Sequence, residues 1–106
     1  MAKYLMKASY TTEGTKGLLK EGGSKRRAAV AQMIQGMGGK LEVFYYAFGE
    51  PDVFLIMDVP DASAAAAISL VVNSRGGAQV STTPLITPEE IDAACKKSVA
   101  YRAPGA

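Results

Sequence analysis

Two apolar runs, Leu41 to Phe48 and Asp52 to Val59, flank Gly49-Glu50-Pro51, and neither alternates between apolar and polar residues. Two β-rich runs joined by a Gly/Pro turn read most economically as a hairpin. In an antiparallel sheet with one face in water, every second residue should be polar. Here one side of the first run carries Leu41, Val43, Tyr45 and Ala47, and the other Glu42, Phe44, Tyr46 and Phe48. The second run sets Val53, Leu55, Met57 and Val59 against Phe54 and Ile56, with Asp52 and Asp58 near its ends. Burying one Phe or Ile side chain is worth about 1.5–3 kcal/mol, so Phe44, Phe48, Phe54 and Ile56 left in water together would forfeit much stability and invite aggregation. A second layer must therefore cover the outer face. A face-to-face homodimer supplies one, through an isologous interface that encloses room for a small ligand; a short terminal helix is the monomeric alternative.

The flanking segments define what the hairpin joins. Lys3 to Tyr10 alternates, with Tyr4, Met6, Ala8 and Tyr10 on one side, and reads as a strand. Thr12 to Lys20 is expected to form a short helical turn with Leu18 and Leu19 inward. Val30, Met33, Ile34 and Met37 recur at helical spacing, predicting an amphipathic helix over Lys25 to Met37, capped by Ser24 and ended by Gly38-Gly39. After Pro60, Asp61 is placed to cap an alanine-rich helix that ends near Arg75-Gly76-Gly77. Ala78 to Ile86 resumes a strand, and Pro84 points to a sheet edge or to a bulge near its end. Thr87, Pro88 and Glu90 spell a capping box with proline at the first helical position, opening a helix over Pro88 to Lys97. Residues 101 to 106 are expected to be an extended tail. The order is that of an α+β, ferredoxin-like βαββαβ domain spanning residues 1–106, with helices on one face of a four-stranded antiparallel sheet.

Composition narrows the chemistry. A chain of 106 residues buries roughly 65% of its unfolded surface, enough for one modest core. A single cysteine, Cys95, makes no internal disulfide, and the absence of histidine removes the commonest general base and metal ligand. No metal and no cofactor is predicted. The net charge of +2 is too small for a nucleic-acid footprint, and no run is long enough to span a membrane. The expected location is the cytoplasm.

The segment Phe48-Gly49-Glu50-Pro51-Asp52, running into Val53 to Val59, resembles the Gly-x-Tyr-Asp signature of the GYD-domain proteins, small bacterial and archaeal proteins without a settled activity. The resemblance extends to the opening strand, to Gly17–Arg27 and to Ser98–Gly105. Pro51 stands where the family has tyrosine, which removes that aromatic from any role here, while Gly49 and Asp52 are retained. The family looks like a member of the dimeric α/β-barrel group, and its turn is similar to one in the effector-binding domains of leucine-responsive-type regulators. The resemblance implies the same dimer that the hairpin composition demands. It leaves enzyme and non-enzyme open, because the barrel group includes cofactor-free monooxygenases and isomerases.

Several residues are candidates for a site. Asp52 is either a turn carboxylate bonded to backbone amides or a ligand-binding or catalytic carboxylate at the barrel mouth. Tyr10, Tyr45 and Tyr46 are core or interface residues, or line a cavity. Gly22, Gly23, Ser24, Lys25, Arg26 and Arg27 form either an ordinary capped helix with solvated cations or an anion nest. Cys95 is read as a small packing residue rather than a reactive thiol. Phe44, Phe48, Phe54 and Ile56 are assigned to the interface, joined by Tyr101 and Arg102 if the tail crosses to a partner. The function expected is a small oligomeric binding or interaction protein, holding a small molecule, an anion among the candidates, at or between the sheets, with Gly49, Asp52, Tyr10, Tyr46, Ser24, Lys25 and Arg26 as contacts. The alternatives are a cofactor-independent isomerase or oxygenase, with Asp52 or a tyrosine as acid or base, and a purely structural assembly module.

Overall fold

In the computed structural model, which describes residues 2–47 and 49–106, the elements run β1 (Ala2–Tyr10), α1 (Thr12–Glu21), α2 (Gly23–Gly36), β2 (Lys40–Tyr46), β3 (Val53–Val59), α3 (Ala62–Ser74), β4 (Ala78–Leu85) and α4 (Pro88–Cys95). The strands form one four-stranded antiparallel sheet in the order β2-β3-β1-β4, the ferredoxin-like order. Phe48 lies outside the described residues.

Alternation decides which side chains build the core. Tyr4, Met6 and Ala8 of β1 and Val53, Leu55, Met57 and Val59 of β3 point to one face, where Val30 and Ile34 of α2 and Ala64, Ala65 and Ile68 of α3 close over them. Paired alanines on α3 let its backbone approach the sheet closely. Asp61 caps α3, its Oδ1 accepting from the Ala64 amide at 2.9 Å. The α1 terminus is pinned across the molecule. The Thr11 hydroxyl donates to the Gly76 carbonyl at 2.7 Å, and the Thr11 amide to Gly77 O at 3.1 Å. Gly14 lies so close to this loop that an added Cβ would overlap the Gly77 carbonyl.

Among the described residues, no helix packs on the opposite face. It presents Lys3, Leu5, Lys7 and Ser9 of β1, Phe54, Ile56 and Asp58 of β3, and Val43 and Tyr45 of β2, as the cross-strand register requires. The Lys3 ammonium bridges Glu42 and Asp58 there. Tyr45 is 70% exposed, Phe54 38% and Val43 37%, so the doubly apolar hairpin does leave one apolar surface bare.

Which aromatic residues occupy that surface differs from simple alternation. A bulge between Leu41 and Val43 inserts one extra residue into β2, so that Leu41 pairs with Met57 and Phe44 with Leu55 on the same, helical face. Phe44 is therefore packed against the core rather than on the outer face, and Val43 and Tyr45 take its expected place. α1 is a full ten-residue helix rather than a single turn, and only Leu18 is partly sheltered; Leu19 is 82% exposed. α2 starts at Gly23, with Gly22 as its cap at φ 89°, so Ser24 sits inside the first turn and does not cap it. The left-handed backbone at Gly22 lets α1 end and α2 begin without a longer loop.

The Thr87 capping box forms as the sequence predicts, with the Thr87 hydroxyl accepting from the Glu90 amide at 3.0 Å and the Glu90 carboxylate accepting from the Thr87 amide at 3.0 Å. Yet every residue from Thr83 to Ala106 is exposed. The terminal helix does not cover its own sheet, and Cys95 is exposed rather than packed.

Candidate functional site

The ends of β1 and β2 meet the α1–α2 junction, and three sequence-singled features converge there on the helical side of the sheet. Tyr46, at the end of β2, donates its hydroxyl hydrogen to the Gly23 carbonyl at 3.0 Å. Its ring stands edge-on to Phe44, with centroids 5.1 Å apart. A Cβ at position 23 would lie 3.0 Å from that ring, so the glycine is what lets strand and helix meet. Tyr10 ends β1 on the same face, and its amide donates to Asp52 Oδ2 at 2.8 Å. The Asp52 amide donates to the Ala8 carbonyl at 2.8 Å, and its own carbonyl accepts from the Ala47 amide at 2.7 Å. Asp52 thus ties the ends of β1 and β2 together, which is the backbone-bonding role expected of it, directed at the neighbouring strand rather than at its own turn. Gly49, at φ 153°, and the cis Glu50–Pro51 peptide shape that turn.

Two clefts open on either side of Tyr10. One, of ≈ 390 Å³, is bounded by Tyr10, Thr15, Leu18, Tyr46, Ala47 and Asp52. The other, of ≈ 370 Å³, is bounded by Tyr10, Leu18, Glu21, Arg26 and Arg75. Tyr10 and Leu18 are their shared wall. The second cleft pairs two guanidinium groups with one carboxylate, so its lining carries a positive excess. Burial pushes the Tyr10 phenol up to about 12, with Tyr46 adding to the rise and the Arg26 guanidinium opposing it. At neutral pH the phenol keeps its proton and has a hydrogen to donate into the clefts.

Of the predicted contacts, Tyr10, Tyr46, Asp52 and Arg26 are brought to this one region, while Gly49 lies in the adjoining exposed turn. Lys25 is exposed on the first turn of α2. Ser24 and Arg27 border a groove of ≈ 380 Å³ along the outside of β2, with Phe44, Tyr45 and Tyr46. None of the tyrosine contacts at positions 10 and 46 faces the open side of the sheet, so the clefts lie beneath the helices rather than between two sheets. Phe54 and Ile56 do lie on the open side, and Tyr101 and Arg102 are exposed in the tail. The sequence reading missed Thr15, Leu18, Glu21 and Arg75 as lining residues. Arg75 carried no signal beyond its place at a helix end, and only the docking of α1 against the 76–77 loop brings it near Tyr10. Among the described residues, no group of three or more acidic or cysteine side chains is placed to hold a metal ion, and no helix is long and apolar enough to cross a membrane.

A four-stranded antiparallel sheet in the order β2-β3-β1-β4 with helices packed on one face defines a ferredoxin-like α+β protein, and the Asp52 of its Gly-x-x-Asp turn borders the first cleft. The chain belongs to the GYD domain family, whose model matches residues 4–95. No curated protein and no solved structure matches it.

Proposed function

We propose that this GYD-domain protein is a homo-oligomeric binding module of the dimeric α/β-barrel type that holds a small anionic molecule in the paired clefts around Tyr10. The observation that carries this reading is the meeting of the Tyr10 phenol with Arg26 and Arg75 at a cleft that also has an apolar wall in Leu18. A phenol hydroxyl and a guanidinium both have hydrogens to donate, which suits a carboxylate or phosphate. Leu18 and the rings of Tyr10 and Tyr46 offer surface to an organic body attached to that anion. Self-association through the open sheet face follows from Val43, Tyr45 and Phe54, which remain bare in the single chain.

The cofactor-independent isomerase or oxygenase reading draws less support. Its acid or base would have to be Asp52, whose Oδ2 already accepts the Tyr10 amide, or a tyrosine, of which Tyr46 already donates its hydroxyl to the Gly23 carbonyl and Tyr10 has its phenol pushed up by burial. Binding is tested by thermal melts of the full chain in a concentration series of inorganic phosphate and of short aliphatic and aromatic carboxylates, repeated with Arg26→Ala and Tyr10→Phe. At least one probe is expected to raise Tm with dose, by ligand linkage, and Arg26→Ala to abolish the rise. No rise with any probe, or a rise that survives Arg26→Ala, contradicts the proposal.

A further inference from the structure

The C-terminal arm, residues 86–101, is built to be ordered and yet touches almost nothing of its own domain. α4 has a complete capping box and proline at its first turn, signals that specify a helix locally. An isolated eight-residue helix is nevertheless marginal in water without a packing surface. Ile91, Ala94 and Cys95 lie on one side of it at i, i+3 and i+4, and all are exposed, as are Ile86, Val99 and Tyr101 on the flanking segments, at 58%, 79% and 74%. The arm makes the molecule long. Its extents are 56 × 33 × 23 Å and its radius of gyration 17.0 Å, against about 13 Å for a compact chain of this length.

We infer that the arm of each chain packs on the open sheet face of a second copy, over the apolar half formed by β2 and β3. This rests on the self-association proposed above and names the segment that makes it. The fit has three parts. The apolar stripe of the arm matches Val43, Tyr45 and Phe54, the bare apolar side chains of that half. The charges are complementary in balance: the arm carries Glu89, Glu90 and Asp92 against Lys96 and Lys97, whereas the open face carries Lys3, Lys7 and Lys40 against Glu42 and Asp58, with Lys7 and Lys40 exposed and without an ion pair among the described residues. The reach suffices, because α4 spans about 12 Å and six extended residues add up to ~20 Å, against a sheet roughly 15 Å wide. The arm leaves from β4, the edge opposite β2, and in the structure it runs away from its own sheet. A second copy therefore supplies the surface that the chain's own fold withholds.

The native thiol gives a direct test. Isotope-labelled chains carrying Cys95→Ser are refolded together with unlabelled native chains bearing a nitroxide on Cys95, and the size of the particle is measured by sedimentation. Any broadening of labelled amides then arises from the other copy. A dimer in which the amides of Val43, Tyr45 and Phe54 broaden at least twofold supports the arm exchange. A dimer without broadening at those positions overturns the arm exchange and leaves the proposed self-association standing. A monomer overturns both. Ile91→Asp combined with Tyr101→Ser in the full chain is expected to weaken dimerisation at least tenfold with the sheet's circular dichroism unchanged; an unaltered dissociation constant contradicts the inference.

Discussion

Tyr10 shows how one side chain serves both fold and cleft. Its phenol titrates from an ordinary 10.0 up to about 12 because burial penalises the phenolate. The folded state therefore holds a proton that the unfolded state releases first. The resulting stability is fully present below pH 10 and is lost as pH rises through about 12. A phenolate absorbance titration is expected to contain a late step that Tyr10→Phe removes. In the same variant, the fall in urea midpoint over that window should be shallower than in the native chain. Gly14 is a second residue whose chemistry is set by a contact. Gly14→Ala forces a methyl against the Gly77 carbonyl, and overpacking of this kind costs about 1–3 kcal/mol. The expected outcome is a lower urea midpoint with an unchanged slope. Neither residue's role was readable in the chain order, since Tyr10 and Arg26 meet only after α1 and α2 fold back over the sheet, and Gly14 and Gly77 are brought together only by tertiary docking.

Elements were legible in proportion to how locally they are specified. The capping box at Thr87 and the cap at Asp61 formed as written because each is closed by residues three positions apart. The bulge in β2 was not legible, since it is decided by which residues of β3 claim Leu41 and Phe44 across the ladder. Its consequence is testable by deletion. Removing Glu42 takes out the extra residue and leaves Leu41, Phe44 and Tyr46 on the helical face, so the deletion variant should keep a cooperative thermal transition, at the cost of one Lys3 partner. Removing Tyr45 instead turns Tyr46 to the open face and breaks its bond to Gly23, and is expected to abolish cooperative melting. Equal behaviour of the two deletions, read by circular dichroism, would rule out the bulge register. Ser24 failed as a cap for a related reason. Gly22 accommodates a left-handed backbone more cheaply than any other residue, and that moved the start of α2 back to Gly23, leaving the Ser24 hydroxyl inside the first turn.

At the scale of the molecule, two surfaces lack what a finished fold provides. One is the open sheet face, half of it apolar; the other is an arm carrying an apolar stripe out into solvent. The doubly apolar hairpin foretold the first, although the bulge changed which aromatic residue lies there, and the length of the arm was visible while its detachment was not. Phe54→Asp places a charge in the middle of that face, where its cross-strand partners are Tyr45 and Lys7, so it should raise the dimer dissociation constant by two orders of magnitude or more while leaving the monomer fold intact by circular dichroism. Sedimentation equilibrium of the native chain at micromolar concentration is the decisive measurement. The predicted result is a particle of twice the 11.1 kDa chain mass that dissociates on Phe54→Asp. A stable species of 11.1 kDa across the concentration range, with Tyr45 open to solvent quenchers, would contradict it.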